Sequence, residues 1–403
     1  MAVTTSWIAQ VIDAYYPETV RLRRHFHQHP ELSFHEEETA EYIAAQLARI
    51  PGMVVKRGIG SPTSVIGELT GKTDDVCVGI RADIDALPIQ EVSECAYHSL
   101  VPHVMHACGH DAHMAIALSV AHIVGELNQK HPIKGNVRFI FQPAEETTDN
   151  NGKTGGQYLA EAGAASGLDL LFALHVMPEH PTGTLLMPEG YCTANVDEFF
   201  SVIKGEGGHG AYPHLGTDPI WLLGTVLQSL QGIVSRKISP LEPAVLSVCS
   251  IEAGNNKTNN VIPSEVTFSG TLRSYSPLIR EQLIQQLESV LATVRSLGGD
   301  YQLSVTHGES SVCNESQPLN LLKKAARQLI PDAQILPDRF GLGGEDFSHL
   351  AKQVPSAMFF LGCAKNDSIK RELHSSLFDI DEPSMKLGVL TMTGAILNAF
   401  DMV

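Results

Sequence analysis

The chain has 403 residues, 43% of them hydrophobic and 18% charged, a balance that excludes a disordered chain and at this length predicts two packed domains. Its 45 acidic against 28 basic residues leave a net charge of -17, which repels phosphate backbones and anionic bilayers, so neither nucleic acid nor membrane is expected as a partner. The seven cysteines, at 77, 95, 108, 192, 249, 313 and 363, form no Cys-x-x-Cys pair, which argues against a disulfide framework or zinc ribbon and for a reducing cytoplasm as the expected location.

In chain order, residues 6–50 read as helical, with Glu36, Glu37 and Glu38 opening a segment whose apolar positions 40, 43, 44 and 47 recur at helix spacing. The first segment carries no basic stretch followed by an apolar one, and no window approaches the roughly 18 apolar residues of a membrane span. Short apolar runs at 76–80, 137–141, 168–174 and 358–361 read as buried strands, and 112–128 and 384–400 as helices among them. That alternation predicts an α/β fold, a mixed, mostly parallel sheet flanked by helices. The middle of the chain has another rhythm: strand 198–203, helix 219–234, strands 244–251 and 261–273, helix 277–297 and strand 301–306. This order predicts a smaller α+β ferredoxin-like (split βαβ) domain inserted at 194–307. Residues 1–193 and 308–403 then form a discontinuous catalytic domain, with Gly/Pro-rich joints near Pro188-Glu189-Gly190 and Gly308.

Open α/β sheets bind ligands beyond the carboxyl ends of their strands. The residues that follow the predicted strands are Arg81-Ala82-Asp83-Ile84-Asp85, Gln142-Pro143-Ala144-Glu145-Glu146 and His175, and His103, His106, Cys108, His110 and His113 crowd the approach to a helix. Singly each is a weak signal, since a lone histidine is more often structural and Cys108 can be a small buried hydrophobe. Together they suggest a metal. Cys108 and His110 flank a glycine, so a thiolate and an imidazole can reach one ion. Two adjacent carboxylates at Glu145 and Glu146 are costly unless a cation neutralises them or one holds a proton. One can ligate while the other takes a proton from water, although both can also be solvated loop residues.

Over nearly its whole length the sequence resembles the metallopeptidase family of aminoacylase, carboxypeptidase G and hippurate hydrolase, and within it most of all the indole-acetyl-amino-acid hydrolases. The resemblance runs through Arg24-His25-Phe26-His27-Gln28-His29-Pro30-Glu31, Arg81-Ala82-Asp83-Ile84-Asp85-Ala86-Leu87-Pro88, Met105-His106-Ala107-Cys108-Gly109-His110-Asp111, Phe141-Gln142-Pro143-Ala144-Glu145-Glu146, Gly207-Gly208-His209-Gly210-Ala211-Tyr212-Pro213-His214 and Gly344-Glu345-Asp346-Phe347-Ser348. It implies two divalent ions per subunit held by Cys108, His110, Glu146, His175 and His374, with Cys108 where many relatives use a bridging aspartate. The donor types suit zinc without excluding manganese, cobalt or nickel. The resemblance further implies Glu145 as general base on a metal-bridging water, Asp85 orienting an imidazole ligand, and His209 reaching the partner subunit's site to stabilise the oxyanion. Asn260 and Arg273 would hold the substrate carboxylate. One departure is that Ser375-Ser376-Leu377 follows His374 where a proline usually precedes the Phe-Asp pair.

The expected activity is hydrolysis of an N-acyl-L-amino acid to a carboxylic acid and a free amino acid, by an enzyme that is a homodimer through its inserted domain. Two rivals stand beside it: a cysteine hydrolase using Cys108 as nucleophile, and a catalytically silent carboxylate- or metal-binding protein on the same scaffold.

Overall fold

The computed structural model describes residues 4–255 and 257–402. The chain divides into two compact units: Met1–Cys192 with Val312–Phe340 and Asp346–Val403, and Thr193–Ser311 with Gly341–Glu345.

The first unit is α/β. Its mixed eight-stranded sheet runs in the order Met53–Arg57, Val65–Leu69, Asn136–Gln142, Cys77–Asp83, Leu170–Pro181, Ser356–Ala364, Thr184–Leu186 and Gln334–Leu336. The four central strands are parallel, which requires crossover helices and buries both sheet faces. Alternate side chains accordingly enter separate cores. Phe139, Phe141, Phe172, Leu174, Phe359 and Leu361 pack in one, while Ile140, Leu171, Ala173, Met358 and Phe360 pack in the other. That is why these strands appear in the sequence as unbroken apolar runs rather than alternations.

Several boundaries differ from the sequence reading. The helical stretch 6–50 is two helices, Thr5–Gln28 and Glu37–Leu47, because Pro30 disfavours helical backbone at His29. The strand expected at 76–80 continues to Asp83; Arg81 and Asp83 tolerate burial there because they pair at 2.6 Å. The strand around 168–174 extends to Pro181 and contains His175. Among the described residues no helix is long and apolar enough to cross a membrane.

The second unit is α+β with a split βαβ order. Its antiparallel sheet runs Ala244–Ala253, Glu265–Ser274, Asn195–Lys204, Asp300–His307, and the helices Pro219–Lys237 and Pro277–Ser296 complete its core. Both helices start with proline after a capping side chain: Ile220 N–H donates to Asp218 Oδ1 at 2.8 Å, and Ile279 N–H to Ser276 Oγ at 3.2 Å. The stretch expected as one strand over 261–273 is two, Val261–Ile262 and Glu265–Ser274, because Pro263 lacks the N–H a continuous ladder needs.

Candidate metal centre

Four chain segments converge at the carboxyl ends of the central parallel strands. Gly109, at φ 89°, turns the chain into the helix His110–Lys130. A Cβ at that position would collide with Val176 Cγ2, so only glycine allows Cys108 and His110 to face the strand carrying His175. The turn after Asn136–Gln142 places Ala144 at φ 48°, immediately before Glu145 and Glu146, and His374 lies at φ 61°. Left-handed backbone at a non-glycine residue costs on the order of 1–3 kcal/mol and persists only where its surroundings enforce it.

Hydrogen bonds fix which nitrogen of each histidine is open. His175 Nδ1–H donates to Val176 O at 2.7 Å, leaving Nε2 3.4 Å from Cys108 Sγ. His110 Nδ1–H donates to Asp85 O at 2.9 Å, with Asp85 Oδ1 at 3.2 Å, and its Nε2 is 3.8 Å from Glu146 Oε1. His374 Nε2 lies 3.4 Å from the same Glu146 oxygen. The donor atoms of Cys108, His110 and His175 lie within 4.8 Å of one another, as do those of Cys108, Glu146 and His374, and those of His110, Glu145 and Glu146. All five sequence-derived ligand candidates and Glu145 therefore fall into overlapping groups.

This arrangement suits a cation. His110 Nε2 and Glu146 Oε1 are buried without a hydrogen-bond partner, and a buried polar atom left so costs about 1–3 kcal/mol. Burial lowers the His110 imidazole, but Asp83, Asp85 and Glu146 outweigh it and raise the group to about 10. The Cys108 thiol moves well up, through burial first and then the Glu146 and Glu145 carboxylates. Lone pairs from three imidazoles, a carboxylate and a thiol fit divalent ions of the zinc type.

Asp85 supports this set from behind. Its Oδ2 accepts from Ser33 Oγ at 2.7 Å and from Glu146 N–H at 3.0 Å while Oδ1 faces His110, so one carboxylate orients two of the converging segments. The other histidines have different situations. His113 donates from Nδ1 to Asp83 Oδ1 at 2.6 Å and accepts Val176 N–H on Nε2 at 3.0 Å, so both of its nitrogens are occupied. His106 is buried, which pushes it down to about 3, and His103 is exposed.

His209, Asn260 and Arg273 belong to the second unit. His209 pairs with Val261 across a short ladder, and Gly210 N–H donates to Asn260 O at 2.8 Å, so the first two sit together. Ala211 N–H donates to His209 Nδ1 at 3.0 Å, which leaves Nε2 to carry the hydrogen. Arg273 donates from Nε to Thr271 Oγ1 at 3.1 Å and makes no ion pair among the described residues. It lines a hollow of about 510 Å³ with Glu198, Phe200 and Cys249.

Sequence reading overlooked Glu36. Its side chain is fully buried; Oε1 accepts both Phe34 N–H at 2.9 Å and Ala144 N–H at 2.8 Å, and Oε2 accepts Thr63 Oγ1–H at 2.8 Å. It thus anchors two left-handed residues, Phe34 at φ 67° and Ala144. Burial, then the charge of Asp85, push this carboxyl up to about 7. Glu36→Ala leaves two backbone donors unpaired and is expected to cost about 2–6 kcal/mol, at about 1–3 kcal/mol each. Thermal unfolding measures the loss, which Glu36→Gln, keeping an acceptor oxygen, largely avoids; equal melting temperatures for Glu36→Ala and wild type would remove this role.

Comparison with known proteins follows the same lines. Residues 79–398 match the signature of peptidase family M20/M25/M40. The chain is 36% identical to the N-acetylcysteine deacetylase of Bacillus subtilis, covering 92% of this chain and 94% of the deacetylase. It is 37% identical to the N-acyl-L-amino acid amidohydrolase of Geobacillus stearothermophilus, over 77% and 82% of the two chains. Among solved structures, the Bacillus subtilis YXEP protein, described as a dinuclear metal-binding peptidase from the M20 family, superposes with a TM-score of 0.83 at 31% identity, covering 97% of this chain and 100% of that one.

Proposed function

Since the chain belongs to peptidase family M20/M25/M40, we propose that this amide-bond hydrolase cleaves N-acyl-L-amino acids at a two-metal centre held by Cys108, His110, Glu146, His175 and His374. The observation that carries the proposal is the pair of buried, partnerless atoms, His110 Nε2 and Glu146 Oε1, inside a group of imidazole, carboxylate and thiol donors. Relatives named as N-acyl-amino-acid amidohydrolase and deacetylase support the substrate class. Zinc or manganese fits this donor set, as do cobalt and nickel.

Ions bound there supply Lewis acidity, which polarises an amide carbonyl and lets water lose a proton near neutral pH. Glu145 then performs the proton chemistry. It takes the proton from the attacking water as the C–O bond forms, and returns it to the departing nitrogen as the C–N bond breaks, yielding a carboxylic acid and a free amino acid. Asp85 keeps the His110 hydrogen on Nδ1 and so directs the Nε2 lone pair inward. Within a homodimer formed through the second unit, His209 of one subunit stabilises the oxyanion at the other's site; its Nε2–H is the donor such a task needs. Asn260 and the guanidinium of Arg273, which makes no ion pair among the described residues, hold the substrate carboxylate.

The Cys108–His175 contact at 3.4 Å is also what a cysteine hydrolase would need. Against that reading, burial and neighbouring carboxylates raise the thiol, whereas a nucleophilic cysteine needs it lowered. Dialysis against a chelator followed by a screen of acetyl-, benzoyl- and indole-acetyl-amino acids with single metals added back separates the two. Activity lost on chelation and restored by a divalent ion is the expected result; activity that survives chelation but not thiol alkylation would favour the cysteine mechanism.

A further inference from the structure

A second group of donors gathers next to Asp111, the residue after His110. We propose that His27, Glu91 and Cys95 form an additional site for a thiophilic divalent cation such as zinc, separate from the catalytic pair.

His27 lies in the helix Thr5–Gln28 and is fully buried. Its Nδ1 is 2.7 Å from Asp111 Oδ2. That oxygen also accepts from Arg23 Nε–H at 2.8 Å, so it is the acceptor and Nδ1 carries the hydrogen. The opposite nitrogen, Nε2, faces Glu91 Oε1 at 3.4 Å, and Cys95 Sγ stands 3.8 Å from that same oxygen. All three donor atoms lie within 4.8 Å of one another. The same Glu91 oxygen also accepts from Ser93 Oγ–H, and an imidazole lone pair turned toward it is repulsive unless a positive charge, either a proton on Nε2 or a metal ion, stands between them.

Neighbouring charges do not supply it. Arg23 is already shared among Asp111, Asp379 and Glu382, Lys365 pairs with Asp379, and Arg24 with Glu382. Among the described residues the only ion-pair partner of Glu91 is His27 itself. A proton on Nε2 is the alternative occupant. The thiol on the same oxygen favours an ion, because imidazole, carboxylate and thiolate together make a zinc-type donor set.

The outer contacts have the form that metal ligands require: Asp111 orients the imidazole, and Ser99 N–H holds Glu91 Oε2 at 2.6 Å. Tyr97 packs edge-on to the His27 ring at 5.8 Å, and the half-buried Cys95 leaves access from solvent. Residues 91–95 have no helix or strand of their own. An ion bound there staples this loop to the first helix.

The test loads wild type and Cys95→Ala with zinc alone, removes loose ions by gel filtration, and counts metal per chain. Cys95→Ala is expected to hold one equivalent fewer with unchanged turnover. Cobalt gives a second readout. In a Cys108→Ser background, which removes the catalytic thiol, a thiolate-to-cobalt absorption band should persist and then vanish on adding Cys95→Ala. Equal metal content in wild type and Cys95→Ala, or no band in Cys108→Ser, would overturn the proposal and leave a proton on His27. Because the band in Cys108→Ser does not depend on catalysis, it can stand or fall apart from the two-metal reading.

Discussion

Glu145→Gln should lower kcat by about 1,000-fold, the middle of the range for removing a positioned general base, while metal content stays at the wild-type level. The two halves of this result follow from different atoms. Glu146 Oε1 lies 3.8 Å from His110 Nε2 and 3.4 Å from His374 Nε2, so with Glu146 as the proposed ligand an amide at 145 leaves the set whole. Glutamine is also nearly the same size and fits the turn that Glu36 holds at Ala144. What it lacks is a basic oxygen for the proton of water. Glu146→Gln should behave differently, losing metal and activity together. Near-native kcat in Glu145→Gln, with metal retained, would take residue 145 out of the base role and leave the proton with another group.

The second large effect concerns the proposed dimer. His209→Ala removes the donor proposed for the oxyanion and should cost about 100- to 1,000-fold in kcat. Mixing this variant with Glu145→Gln, each inactive alone, should restore activity. Random reassociation of equal amounts makes half of the dimers hybrid, and each hybrid has one site with Glu145 intact and a native His209 from its partner. One active site in two, in half of the dimers, gives about one quarter of wild-type activity. If His209 acts within its own chain, no hybrid has a complete site and the mixture stays inactive.

Much of the fold was legible because burial on both sheet faces writes strands as unbroken apolar runs, as at Phe139–Phe141 and Met358–Phe360. Strand ends were harder to read. A buried arginine and aspartate inside Cys77–Asp83 look like a boundary until their pairing at 2.6 Å is seen. The ligand candidates were legible unequally. Cys108 and His110 share a glycine turn, and Glu146 and His175 follow or end apolar runs, but His374 stands alone and only family resemblance singled it out. Glu36 was invisible as a site residue because its work is done on backbone N–H groups 2 and 108 residues away, and such contacts leave no spacing signature. The Arg23 network was missed for the same reason: its partners Asp111, Asp379 and Glu382 are remote in sequence.

In the proposed centre five side chains hold two ions beside Glu145. Crystals of the metal-loaded enzyme, measured at the absorption edge of the added metal, test it most directly. Two anomalous peaks are expected, within about 2.0–2.3 Å of the donor atoms of Cys108, His110, Glu146, His175 and His374 if the metal is zinc. An active enzyme with a single peak there, or with none, would contradict the account.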